Sequence, residues 1–236
     1  MKALLNPQKL PRLTLVLGMA GLVLQNLLFA FATDRKGLLA SHPLGFLLGA
    51  LTGAALVLIL AGVLRWQQEP LAPLRPNTWD VVTLITTLGF LPVLFRDGFA
   101  PSRLILVRNV LAILVVLSFL ALFLLSRRDK QPHFALYAIP CLFFAVHLVS
   151  CYQTWSSNPQ ILDYLFTLLA NVGLMLYFYY KTAALVGFRK EKRMLAIGLL
   201  TVFFCFTSIS VQDFSLLHLC CGSWILTDLR AAFSGE

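Results

Sequence analysis

The residues best placed to do chemistry in this sequence are the few polar ones set inside long apolar stretches. Arg108 and Asn109 lie about one turn into the fourth such stretch, and Asp163 stands near the start of the sixth beside Tyr164. Asn171 follows Tyr164 by seven residues, two helical turns, so the two share a helix face. Gln25 and Asn26 fall in the first stretch, His147 and Cys151 in the fifth, and His218 in the last. A charge within a membrane span is costly, so such a residue is by default a candidate for function. Arg108, Asp163, His147, Asn109, Asn171 and Asn26 form the candidate ligand-binding set, with Arg108 and Asp163 paired or shared with a ligand. The plainer reading puts both charges at headgroup level, reaching water by snorkelling. The amides would then join helices through hydrogen bonds worth about 0.6 kcal/mol each.

Other chemistries fit less well. His147 and Cys151 have the i, i+4 spacing that puts two ligands on one helix face, and His218, Cys220 or Cys221 could complete a zinc tetrahedron. Nothing in the sequence makes those helices neighbours, so no metal or other cofactor is expected. The HExxH pattern of a metalloprotease is absent. The glutamates are Glu69, Glu191 and Glu236, all in loops or tails. Asp163 is the one aspartate clearly inside a span. Asp80, Asp213 and Asp228 are expected at span ends within reach of water, which disfavours a pair of facing aspartates. No lysine sits mid-span in the last segment for a retinal-type pigment. The GxxxxGK[ST] nucleotide motif is also missing, so any active transport would draw on an ion gradient or a partner. No catalytic residue is assigned, and enzymatic activity is not favoured.

The elements that must position these residues follow from composition. Of the 236 residues, 59% are hydrophobic and 12% charged, and mean hydropathy is +0.83. A soluble domain carries about 25% charged residues, so this chain has too few to cover a water-facing surface. The expectation is one domain over 1–236: an all-α polytopic transmembrane bundle of seven or eight spans, its main partner the lipid bilayer. The net charge of +9 does not indicate nucleic acid, because the basic residues sit in short runs between apolar segments. The five cysteines are Cys141, Cys151, Cys205, Cys220 and Cys221. They are odd in number and lack CxxC spacing, so they read as small buried thiols rather than a disulfide framework.

A span needs about 20 apolar residues. The segments run from about Leu13 to Ala32, Leu44 to Leu64, Asp80 to Phe95, Leu104 to Ser126, Phe134 to Tyr152, Ile161 to Tyr180 and Met194 to Val211. Ala30-Phe31-Ala32 mimics a signal-peptidase site, yet the run is long and a second span follows closely, so a retained helix is expected. Pro140 is an expected kink. Tyr177 to Tyr180 form an aromatic belt, with Lys181 expected to snorkel. Phe214 to Leu229 is either an eighth span or a helix lying in the interface. Loop charges set the orientation. With the N-terminus inside, the inner side holds Lys2, Lys9, Arg12, Arg65, Arg75, Arg127, Arg128, Lys130, Lys181, Arg189, Lys190, Lys192 and Arg193. The outer side holds Arg35, Lys36, Arg96, Arg103 and Arg108. The positive-inside rule therefore predicts a cytoplasmic N-terminus. The candidate polar residues then gather in the outer half of the bilayer, with Asn171 near its middle.

Gly45, Gly49 and Gly53 make a doubled GxxxG that lets another backbone approach closely. Packing against a helix of the same chain is the favoured reading, and a dimer interface is the other. Three stretches carry a resemblance: Asp34 to Leu39 with His42-Pro43; YQTWSSNPQILDYLFTLLANVGLMLYFYYKTAALVGF from Tyr152 to Phe188; and GSWILTDL from Gly222 to Leu229. Together they resemble an uncharacterised family of multi-pass membrane proteins from anaerobic Gram-positive bacteria. The resemblance implies a bacterial plasma membrane and no particular activity. The expected function is transport or small-ligand binding through an outward-facing polar group. The alternative is an accessory or sensor subunit working through a protein partner or as a homo-oligomer.

Overall fold

The computed structural model describes residues 9–32, 42–65, 77–90, 92, 103–128, 132–155, 164–188, 190–209 and 215–234. Among them lie eight helices and no strand: α1 (Leu10–Ala32), α2 (Pro43–Arg65), α3 (Asn77–Gly89), α4 (Arg103–Ser126), α5 (Ala135–Trp155), α6 (Leu165–Leu185), α7 (Glu191–Thr207) and α8 (Ser215–Ser234). Each falls on one of the expected apolar segments. Four are long and apolar enough to cross a membrane: α1, α2, α4 and the stretch Ala135–Gln153 of α5. The others are shorter or more polar. α3 has 13 residues and α7 has 17, while α6 carries Asn171 and Lys181 and α8 carries His218 and Asp228. Pro140 lies inside α5, and the helix runs on through it.

Burial is inverted relative to a water-soluble bundle. Large apolar side chains face outward on every long helix: Phe31 is 70% exposed, Phe46 81% and Leu64 76%. The inward stripes include small and polar residues, such as Thr14, Gly18, Gly21 and Gln25 on α1, and Arg108, Asn109, Ala112 and Ser118 on α4 beside the larger Phe119 and Leu122. Water would penalise that surface by roughly 25 cal/mol for each Å² of apolar area. Lipid tails do not, so such helices associate through close packing and interior hydrogen bonds.

Helices α3 to α8 pack in sequence and α8 returns to α3, closing a ring. α7 is buried on nearly all sides because α1, α2, α6 and α8 all pack on it. The interior of the ring is aromatic. Trp224 of α8 lies edge-on to Phe119 of α4 with ring centroids 5.5 Å apart, and stacks on Phe178 of α6 at 5.5 Å. Phe178 in turn stacks on Phe144 of α5 at 5.9 Å.

Close contacts fix helix directions. A Cβ at Gly18 would meet Phe206 and one at Gly21 would meet Thr207, so α1 and α7 are parallel. Gly173 faces Thr201 while Gly198 faces Tyr177, so α6 and α7 are antiparallel. The pairs Gly222–Cys205 and Gly198–Leu229 make α7 and α8 antiparallel. Thr86 Oγ1 bonds Cys220 O at 3.3 Å and Trp224 Nε1 donates to Thr83 Oγ1 at 3.0 Å, so α3 and α8 are antiparallel too. One end of the molecule is therefore where α1, α3 and α7 finish and α6 and α8 begin.

Candidate functional site

At that end three helices meet through buried polar side chains. His218 lies in the first turn of α8, Ser208 directly follows the last residue of α7, and Asn171 lies in the second turn of α6. All three are essentially inaccessible. His218 Nδ1 is 2.9 Å from Ser208 Oγ, and His218 Nε2 is 3.2 Å from Asn171 Oδ1. Ser208 Oγ also lies 2.9 Å from the carbonyl oxygen of Cys205, a turn back on α7. Burial makes this junction demanding, since an unpaired buried polar group costs about 1–3 kcal/mol. Even so, Asn171 Nδ2 has no hydrogen-bond partner among the described residues. On α1 at the same end, Gln25 is buried with Oε1 likewise without a partner there. Its neighbour Asn26 donates from Nδ2 to Leu22 O at 2.8 Å and to Ile209 O at 3.5 Å. Asn26 thus touches the chain one residue past Ser208.

The chain of bonds through His218 can run in two directions. In one, the Ser208 hydroxyl donates to Nδ1 and Nε2–H donates to Asn171 Oδ1. In the other, with the Asn171 amide turned over, Nδ2 donates to Nε2, Nδ1–H donates to Ser208, and the hydroxyl hydrogen goes to Cys205 O. Asn171 keeps one free amide atom either way, a donor in the first case and an acceptor in the second.

The other expected site residues are placed as follows. Arg108 and Asn109 are buried on α4, and Arg108 Nη2 donates to Asn109 Oδ1 at 3.1 Å. The snorkelling expected of Arg108 is not what this burial gives: its guanidinium lies inside the bundle. His147 is buried on α5, stacked on Phe143 at 5.5 Å, with Nε2 3.6 Å from Cys151 Sγ. No cluster of three histidine, cysteine or acidic residues that could hold a metal occurs among the described residues. Asp163 lies outside the described residues, and so does its expected pairing with Arg108.

A second polar cluster went unrecognised in the sequence. Asp228 of α8 is 2% exposed, although the sequence suggested a span end open to water. Its Oδ2 accepts from the Tyr177 hydroxyl and lies 2.5 Å from Lys181 Nζ. Lys181 therefore folds into the bundle, its side chain 15% exposed, rather than snorkelling out. Asp228 is far from Tyr177 and Lys181 in the chain, and none of the three carries a motif, so only the side-chain contacts between α8 and α6 reveal the cluster.

The doubled GxxxG also differs from expectation. A Cβ at Gly49 or Gly53 would meet nothing within 4 Å, and one at Gly45 only Leu28 at 3.9 Å. The described glycines that seat helices against each other are instead Gly18, Gly21, Gly62, Gly89, Gly173, Gly198 and Gly222. No family model matches the chain, and no curated protein or solved structure was found to match it.

Proposed function

We propose that this is a multi-pass plasma-membrane protein with its N-terminus inside, its eight helices inserted together, and a small polar ligand held within the outer end of the bundle. Binding there is the first step of transport or sensing. One observation carries the reading: the amide of Asn171 is fully buried, bonded to His218 on one side only, and left with an unused hydrogen-bonding atom. A ligand group that satisfied it would recover most of that atom's desolvation cost. The inside-out burial and the alternating helix directions support insertion, and the basic loops support the orientation.

The test is a thermal-shift screen of the purified protein against small metabolites and ions, with Asn171→Leu alongside. A ligand at about 100 times its dissociation constant adds about 2.7 kcal/mol of stability. A stabilising compound whose effect vanishes in Asn171→Leu supports the reading. No compound stabilising the wild type, with Asn171→Leu at least as stable, removes it. The accessory-subunit alternative has one observation in its favour. The open face of α2 at Gly49 and Gly53 leaves a flat strip at the lipid-facing surface. Disulfide trapping of Gly49→Cys in native membranes tests it: a cross-linked band favours that alternative, and its absence counts against it.

A further inference from the structure

Helices α6 and α8 carry polar groups at both of their ends. Asn171 and His218 stand where the two helices begin, Lys181 and Asp228 where they finish. Trp224 and Phe178, stacked at 5.5 Å, lie between the two groups. A carboxyl group taken out of water is either held by partners or neutralised by a proton. Asp228 has partners on one oxygen. Its Oδ2 accepts from the Tyr177 hydroxyl and lies 2.5 Å from Lys181 Nζ. Its Oδ1 is buried and has no hydrogen-bond partner among the described residues. A proton placed on Oδ1 would remove the charge from the atom that burial serves worst.

Lys181 makes such a proton affordable to the fold. It lies one turn before the end of α6, part-exposed, with Nζ 6.0 Å from the centre of the Tyr177 ring. A lysine stem at a helix end lets the ammonium reach water while its carbons stay on apolar surface. Asp228 is itself two residues before Arg230, which is exposed. Two arrangements therefore leave no uncompensated charge in the bundle: carboxylate and ammonium both inside, or a carboxylic acid inside and the ammonium in water. They differ by one bound proton. Of the other groups around Asp228, Tyr137 of α5 is buried within its electrostatic reach. α7 approaches with Gly198, which packs on Leu229 and Tyr177, and carries Glu191, Lys192 and Arg193 in its first turn. α3 bonds Trp224 through Thr83, and Asp80 stands three residues before Thr83. Arg12 of α1 and Arg127 and Arg128 after α4 are exposed.

We infer that Asp228 is a proton-binding site, loaded from the water at the end where α6 and α8 finish, with Lys181 as the counter-cation that leaves when the proton arrives. Water at that end passes a proton to Asp228 Oδ1. Lys181 keeps its own protons, parts from Oδ2 and turns outward, while Tyr177 goes on donating to Oδ2, now a carbonyl oxygen. On the return Oδ1 gives the proton back and Lys181 closes on the carboxylate. Because the ion pair is broken, the proton-bound form is the less stable of two folded forms. Ionisable residues within membrane helices commonly serve proton movement. Use of this proton to drive a ligand rests on the binding reading above, and the proton site itself does not.

The test uses the full chain in lipid nanodiscs, followed by infrared difference spectroscopy as the pH is lowered, with thermal melts at each pH. The expected result is a carboxylic-acid C=O band that grows while the protein stays folded and is absent from Asp228→Asn. In Tyr177→Phe the band should move to higher frequency, because the carbonyl has lost its donor. That variant keeps the ring, so it assigns the band even where Asp228→Asn does not fold. In parallel, a water-soluble N-hydroxysuccinimide ester acylates the lysines, read by peptide mapping, with exposed Lys190 as reference. The ratio of Lys181 to Lys190 labelling should rise as the band grows, and should be high at every pH in Asp228→Asn. The absence of an Asp228 band at every pH at which the wild type is folded overturns the inference, as does a band that appears only as the melt is lost. A band accompanied by a constant lysine ratio overturns the exchange with Lys181. The thermal-shift screen at Asn171 reads the opposite end of the bundle, so either reading can fail alone.

Discussion

Asp228 bridges Tyr177 and Lys181 in a place where none of the three meets bulk solvent freely. Removing one partner of a buried ion pair strands the other and typically costs about 3–5 kcal/mol, whereas replacing both by apolar residues is often close to neutral. Asp228→Asn and Lys181→Met should therefore each lower the unfolding temperature markedly. The double change Asp228→Leu with Lys181→Met should recover much of the loss, read by thermal unfolding in detergent. If the double variant is as unstable as the two single losses combined, the pair is not the coupled unit described. The sequence could nominate single polar residues, because a histidine or asparagine in an apolar run stands out. It could not nominate pairs. His218 was visible as a candidate, whereas Ser208 sat unremarked at the end of the seventh segment until α8 folded against it.

Among the elements, the apolar runs translated directly into helices because a lipid environment leaves the backbone few other ways to satisfy its own hydrogen bonds. The ends agreed to within about five residues except at α3, which ends at Gly89 where Phe95 was expected, and the segment at Phe214 became α8. What did not translate was which face of each helix packs. A repeated glycine spacing drew attention to α2, yet the tight approaches rest on scattered glycines, each set against one or two partner residues. A Cβ at Gly173 would stand 2.5 Å from Thr201 Oγ1, while Gly53 has open space. Gly173→Val should thus destabilise the protein by well over 1 kcal/mol, as overpacking does. Gly53→Val should stay within about 0.5 kcal/mol of wild type. Thermal melts of the two variants decide it, and equal effects would contradict the packing of α6 on α7.

For the whole molecule, composition was enough to announce an all-helical chain with an apolar exterior, because too few charges exist to clothe a water-facing surface. The ring order of α3 to α8 was beyond reach, since neither periodicity nor loop charge encodes which helices become neighbours. Orientation remains directly measurable. His42 lies just before α2 and Lys190 just before α7, so His42→Cys and Lys190→Cys should report opposite faces of the membrane. A membrane-impermeant maleimide should modify His42→Cys in intact cells, and Lys190→Cys only after permeabilisation. The reverse pattern would invert the orientation, and the same pattern for both would break the alternation of helices.

The packing of α1 and α2 has a consequence for how the protein is made. Both make their main contacts with each other and with α7, and α1 also touches α8. The α1–α2 hairpin therefore has no docking place until α7 has been synthesised. A nascent chain that terminates before α7 leaves these two helices without their main partner, and such truncated products are expected to be cleared by proteases.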